Sequence, residues 1–382
     1  MESRIGHSRH TYRNRHTRGA RVLFRLLLGG IVMALAACYS VGHPPRTGPA
    51  EQLAGSGPQK EIVFLVEPMA NFAIHITSVA GLPWPTAYGD LMMSSVSPQN
   101  LGRLRQAAPA LAWNREHTGE LTPYFVFLPA YLRMQDEFEL EQYFIGFENA
   151  IRRGAYAAFR QGHADGHDRM ANWLFDLEGF FEERIDFYQT GFTFIRELGR
   201  LYVGQYRDYE ERIWPDVERD LEDVASEIES QTWSVDLIAT WESLTGERYD
   251  GRRFVVSLVA APMAIPTTGL SYGETLLSVQ DDPDEMTRAV SLEFGRHLLI
   301  EVFNGAVSEA SGTDRLDWTL FAAHQALTEH YNRRIFPGYR SQIDNDVERF
   351  AAVFQQLHDQ RPEATARQLM RQGLVAFRRE TM

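Results

Sequence analysis

The sequence predicts an α+β fold that is mainly helical, on three observations. Apolar runs of strand length are few: Ile62-Val63-Phe64-Leu65-Val66, Phe254-Val255-Val256-Ser257-Leu258-Val259-Ala260 and Thr275-Leu276-Leu277-Ser278-Val279. Elsewhere apolar residues recur every three or four positions, the spacing of helices with one buried face. The order along the chain is strand, helices, strands, helices.

The first strand is β-branched and stopped by Pro68, and the residues up to Gly81 have helical spacing. Trp84 stands between Pro83 and Pro85 in a loop, where it serves as a packed anchor or a ligand-contacting lip. Leu140, Phe144, Phe147, Ile151 and Ala155 mark one amphipathic helix. Leu177, Phe181, Ile185, Tyr188, Phe192, Ile195, Leu198 and Tyr202 mark a second, expected to break near Thr190-Gly191 and to end before Pro215. Val217, Leu221, Val224 and Ile228 continue the pattern, and Ser234 is placed to cap a short helix closing at Gly246. The run 254–260 reads as a buried strand, and 275–279 as the next. Asp282-Pro283-Asp284-Glu285 then opens a helix with acids at its positive end. Helices are expected at about 286–303, 315–334, 344–358 and 362–377.

The N-terminus is a separate segment. Arg13, Arg15, Arg18, Arg21 and Arg25 precede a 12-residue apolar run from Leu26 that closes on Leu35-Ala36-Ala37-Cys38, which holds the only cysteine of 382 residues. The run is too short to span a bilayer. This pattern resembles the lipobox of bacterial lipoproteins, which implies that residues 1–37 are a signal peptide and that Cys38 is lipidated at the mature N-terminus. Tyr39 in place of Asp implies, by the same resemblance, a cell-envelope location in the outer membrane rather than the inner one of a diderm. Residues 38–60, rich in Gly, Pro and Ser, read as a flexible tether. The mixed body is residues 61–382.

Charge narrows the partners. Of 38 basic residues, seven lie in 1–37, and of 51 acidic residues one does, so the mature chain carries 31 against 50, a net −19. Such a chain is a poor match for nucleic acid, and anionic lipid repels it, so the expected membrane contact is through the N-terminal lipid alone. Lys60 is the single lysine among 37 arginines, which reads as genome composition.

The segment Leu292-Glu293-Phe294-Gly295-Arg296-His297-Leu298-Leu299 resembles the active-site helix of zincin metallopeptidases, whose HExxH motif sets two zinc-binding histidines one turn apart with a glutamate as general base. Aligned on Glu-Phe-Gly, the glutamate is kept as Glu293, while the ligand positions hold Leu292 and Arg296, neither of which binds zinc. The order of strand, short strand, acid-rich turn, this helix and a helix with Ala326-Leu327-Thr328-Glu329-His330 is similar to the gluzincin branch, which implies Glu329 at the third ligand position. The region of likeness is about 250–340, and the entry at 62–81 is similar to that of an uncharacterised bacterial family of predicted gluzincin-like proteins. The resemblance implies a zincin-like arrangement of a small sheet with a degenerate active-site helix. With both histidines replaced, the expected role is non-catalytic binding of a peptide or protein, without cofactor, and Arg296 is placed to pair with Glu329.

Two alternatives stand beside it. Glu293 and His297 share a helix face, so zinc held by Glu293 and His297 with Glu329, His324 or His330 as the third ligand would make the chain a metal-dependent peptidase, with Glu293 the catalytic residue of an active form. The other is a helical envelope lipoprotein unrelated to peptidases, in which the late strands do not lie beside the Glu293 helix. The local readings are plainer: Glu329 with Arg333 as an i,i+4 ion pair, and His324 as a core histidine on the stripe Leu320, Leu327, Tyr331. His163-Ala164-Asp165-Gly166-His167-Asp168 reads as a polar turn, with metal binding by its imidazoles and carboxylates as the alternative. Gly269-Leu270-Ser271-Tyr272-Gly273 matches G-x-S-x-G, but a nucleophile elbow needs a strand before the serine and a helix after it, the reverse of what stands here.

Overall fold

The computed structural model describes residues 60–80, 96–112, 119, 121–163, 185–232, 236–260, 273–279, 282–310, 318–338 and 345–381. Within them lie three strands and thirteen α-helices, so the fold is α+β and mainly α. Among the described residues no helix is long and apolar enough to cross a membrane.

The strands β1 (Glu61–Val66), β2 (Arg253–Val259) and β3 (Glu274–Ser278) form one parallel sheet in the order β1-β2-β3. Central β2 buries Phe254, Val256, Leu258 and Val259, as expected of a parallel strand covered on both faces. The pairings Val63 with Val255 and Val255 with Glu274 set the two faces of the sheet. One face carries Phe64, Phe254, Val256 and Leu258, and Phe254 meets Phe294 edge-on at 5.2 Å. The opposite face is partly polar: Ser257 Oγ donates to Glu274 Oε1 at 3.2 Å, and Arg133 Nη2 lies 2.9 Å from that same atom. Arg133 also reaches Glu67 at 3.4 Å, and it holds a left-handed backbone (φ 54°), uncommon for a residue with a side chain.

After β1, α1 (Pro68–Val79) is almost wholly buried. Its Asn71 donates to Leu258 O and accepts from Ala260 N–H, both at 2.9 Å, which ties α1 to the end of β2. Then come α2 (Pro98–Leu111), a π-helical turn Pro123–Phe127, and α3 (Leu128–Leu132). In the π register Pro129 would bond to Tyr124 O, but proline has no N–H. Tyr143 Oη–H supplies that bond instead at 2.6 Å.

Tyr143 belongs to α4 (Glu137–Arg153), which is followed by α5 (Tyr156–Gly162), α6 (Ile185–Arg212) and α7 (Trp214–Thr232). Phe125, Phe144, Phe147 and Tyr202 pack edge-on or tilted between α4, α6 and the π turn. Where they are described, at Phe144, Phe147, Ile195, Leu198 and Tyr202, the stripes seen in the sequence are thus core. The break expected near Thr190-Gly191 is absent: α6 runs unbroken from Ile185, since a single glycine weakens a helix by only about 1 kcal/mol.

α8 (Leu237–Thr245) ends at Gly246 in the left-handed conformation, as expected. Its cap is Asp236, which accepts from Ala239 N–H at 2.9 Å, rather than Ser234. The helix expected at 286–303 is two, α9 (Pro283–Leu298) and α10 (Ile300–Ala310). The one-residue interruption at Leu299 has neither glycine nor proline to mark it. After α11 (Trp318–Ile335) and α12 (Asn345–Gln360), α13 (Ala366–Thr381) starts four residues later than expected. There Thr365 and Gln368 exchange backbone and side-chain bonds as a capping box.

Candidate functional site

Helix α9 carries the candidate residues, and Asp282 starts it by accepting from Asp284 N–H at 2.9 Å. Each residue turns the helix by about 100°, which gives α9 four working faces. On the first, Trp241 Nε1–H donates to Ser291 Oγ at 2.8 Å and the indole lies on Gly295 so closely that a Cβ there would stand 2.2 Å from it. On the second, Phe294 and His297 pack on Tyr249 and Phe254, placing β2 beside the Glu293 helix.

The third face meets α11. Asn332 Nδ2–H donates to Arg288 O at 3.3 Å, and His324 Nε2 lies 3.2 Å from Arg296 O. These bonds make α9 and α11 antiparallel and bring Leu292 level with Thr328. The same register puts Glu293, Arg296 and Glu329 on one flank of the helix pair, the side away from Trp241 and Tyr331. Leu292, which the sequence resemblance aligns with a zinc-ligand position, is buried.

On that flank Glu293 is 5 % exposed and Glu329 1 %. Arg296 pairs with Glu293, three residues back on its own helix, where Glu329 was the expected partner. Glu329 accepts from Arg333 Nε at 2.7 Å, the expected i,i+4 pair, and Arg333 also makes two bonds to Glu348 of α12. The hydrogen bonds to Glu348 and Glu329 raise the Arg333 pKa against its partial burial.

His297 turns to Tyr249 and Phe254, away from α11, and its burial lowers its pKa to about 4. His324 is buried as well, and desolvation followed by the Arg296 charge lowers its pKa to about 4. It is a core histidine bonded to the α9 backbone. Among the described residues, no three His, Cys, Asp or Glu side chains converge as a metal site, so Glu293, His297 and Glu329 are not gathered into one.

Two buried polar groupings escaped the sequence reading. One is Glu67, Arg133, Glu274 and Ser257 on the sheet, signalled only by a polar break after a long apolar run. The other joins α11 to α12: His330 Nε2 lies 2.8 Å from His358 Nδ1, and His358 Nε2 lies 3.1 Å from Pro362 O. Because a carbonyl only accepts, His358 Nε2–H donates to it, and a single proton lies in the bond between His358 Nδ1 and His330 Nε2. Burial lowers the His330 pKa to about 3.

Cys38, Trp84, residues 164–168 and residues 269–272 lie outside the described residues. His163 packs on the rings of Tyr143 and Phe159, at 5.3 and 5.0 Å. Gly273 has φ 77° and leads into β3. Comparison with family models, curated proteins and solved structures gives no match.

Proposed function

We propose that this chain is a lipoprotein of the bacterial cell envelope, anchored through Cys38, whose body carries a degenerate metallopeptidase-like helix pair and binds a peptide or protein without catalysis. The observation that carries the reading is the buried pair of Arg296 with Glu293. A fixed guanidinium stands at a position where the zincin pattern needs a neutral histidine, and it neutralises the carboxylate that would serve as general base. Leu292 leaves the other ligand position apolar. The late strands lie beside the Glu293 helix, which argues against a chain unrelated to that architecture.

Metal analysis of the purified Cys38→Ser chain after incubation with zinc and dialysis tests it, together with melting with and without chelator. The expected result is less than about 0.1 zinc per chain and an unchanged Tm. Stoichiometric zinc with a Tm lowered by chelator would overturn it in favour of the Glu293, His297 and Glu329 set. Detergent partitioning checks the anchor: the natural chain enters the detergent phase and Cys38→Ser stays in the aqueous phase.

A further inference from the structure

Helices α4 and α6 are antiparallel. Glu137 pairs with Arg207 at 2.6 Å, and a Cβ on Gly199 would stand 3.2 Å from Phe144. These contacts put residue 137 level with 207 and residue 144 level with 199, so Glu148 is level with Arg196 and Arg200 with Phe144. Between the helices runs an open groove of about 360 Å³ with an apolar floor that includes Phe144, Phe147 and Val203. One wall is acidic, with Glu137, Glu141 and Glu148 of α4, while α6 supplies Arg196, Arg200 and, beside them, Arg207. Two of the three exposed large hydrophobics among the described residues, Phe138 (65 % exposed) and Ile145 (43 %), crest α4 at its lip.

We propose that this groove is the contact between two copies of the chain. A half-turn about an axis running along the groove lays α4 of one copy on α6 of the other and keeps every residue at its level. Glu137 then faces the second copy's Arg207, Glu148 faces its Arg196, and Glu141 comes within three residues, about 4.5 Å of rise, of its Arg200. Ile145 lands level with Gly199. Phe138 lands two residues from the level of Gly204, where a Cβ would meet nothing within 4 Å. Acid faces base at these three levels, adding to the pairs Glu137 and Glu148 already make within the chain, and Phe138 meets open space beside Gly204. A surface that is its own complement under a half-turn is what an isologous dimer requires. The product is an antiparallel four-helix arrangement, a stable way to bury two helix pairs.

Sedimentation of the Cys38→Ser chain at tens of micromolar tests this, with Glu141→Arg, Arg200→Glu and the double variant alongside. Both positions are exposed and no ion pair joins either of them within the described chain, so the monomer fold is left intact, as circular dichroism will check. A dimer is expected, its Kd raised at least about tenfold by either single change and restored in the double variant, where the charges are again opposite. A wild-type monomer, or a dimer whose Kd neither single change moves, would overturn the proposal.

Discussion

Replacing Arg296 by alanine tests the charge compensation most directly. The Glu293 side chain is 7 % exposed and that of Arg296 14 %, so the pair lies largely out of water. Removing one member of a buried pair typically costs about 3–5 kcal/mol, because the other charge is left without compensation. Two features lower the figure here. Arg296 Nε is buried without a hydrogen-bond partner, so its removal also relieves an unsatisfied donor, and the space vacated lies near enough to the surface to admit water. The expected loss is therefore about 2–4 kcal/mol, measured by equilibrium urea unfolding with an unchanged m-value. Glu293→Gln with Arg296→Met removes both charges at similar volume and should cost less than Arg296→Ala alone. A second readout is local: the Arg296 charge helps hold the His324 pKa down, so Arg296→Ala should raise it in an NMR titration. An unfolding free energy within about 0.5 kcal/mol of wild type for Arg296→Ala would show that the pair is a surface contact of no consequence and refute the compensation argument.

The histidines whose pKa values are lowered by burial should make the fold acid-labile. His75 and His330 have pKa values lowered by burial to about 3, and His297 and His324 to about 4, so between those values and 6.5 the unfolded chain binds more protons than the folded one. Their contribution is complete above pH 6.5 and is lost as the pH falls, by about 2 kcal/mol per histidine at pH 5, which in sum rivals the whole stability of a domain. Unfolding followed by tryptophan fluorescence from pH 7 to 4 should show a steep decline, and a flat profile down to pH 5 would contradict it. Gly295→Ala forces a methyl into the Trp241 ring and should cost at least about 1–3 kcal/mol, while Gly204→Ala, with open space above it, should change stability by less than about 1 kcal/mol. Equal effects at the two glycines in a urea titration would mean that Trp241 gives way freely.

Periodicity and punctuation were enough to place all three strands, most helices and their local partners. The β-branched runs, the left-handed glycine at Gly246, the acids at the start of α9 and the Glu329–Arg333 pair are each set within a few residues, where helix or strand geometry leaves little choice. What the sequence left open was any choice among distant partners. Arg296 could reach Glu293 or Glu329, both one helix turn or one helix away, and only the packed register of α9 on α11 and the competing Arg333 decided for Glu293. Asn71 on the end of β2, Arg133 on Glu274, Trp241 on Gly295 and His330 on His358 are meetings of the same kind. Residues 28 to 187 positions apart are brought together by the burial of faces, and hydrophobic burial is non-directional, so the pattern that drives it names no partner. Partners are chosen when side chains of particular shape and charge are held at fixed levels on neighbouring elements, and that information exists only once the helices are packed.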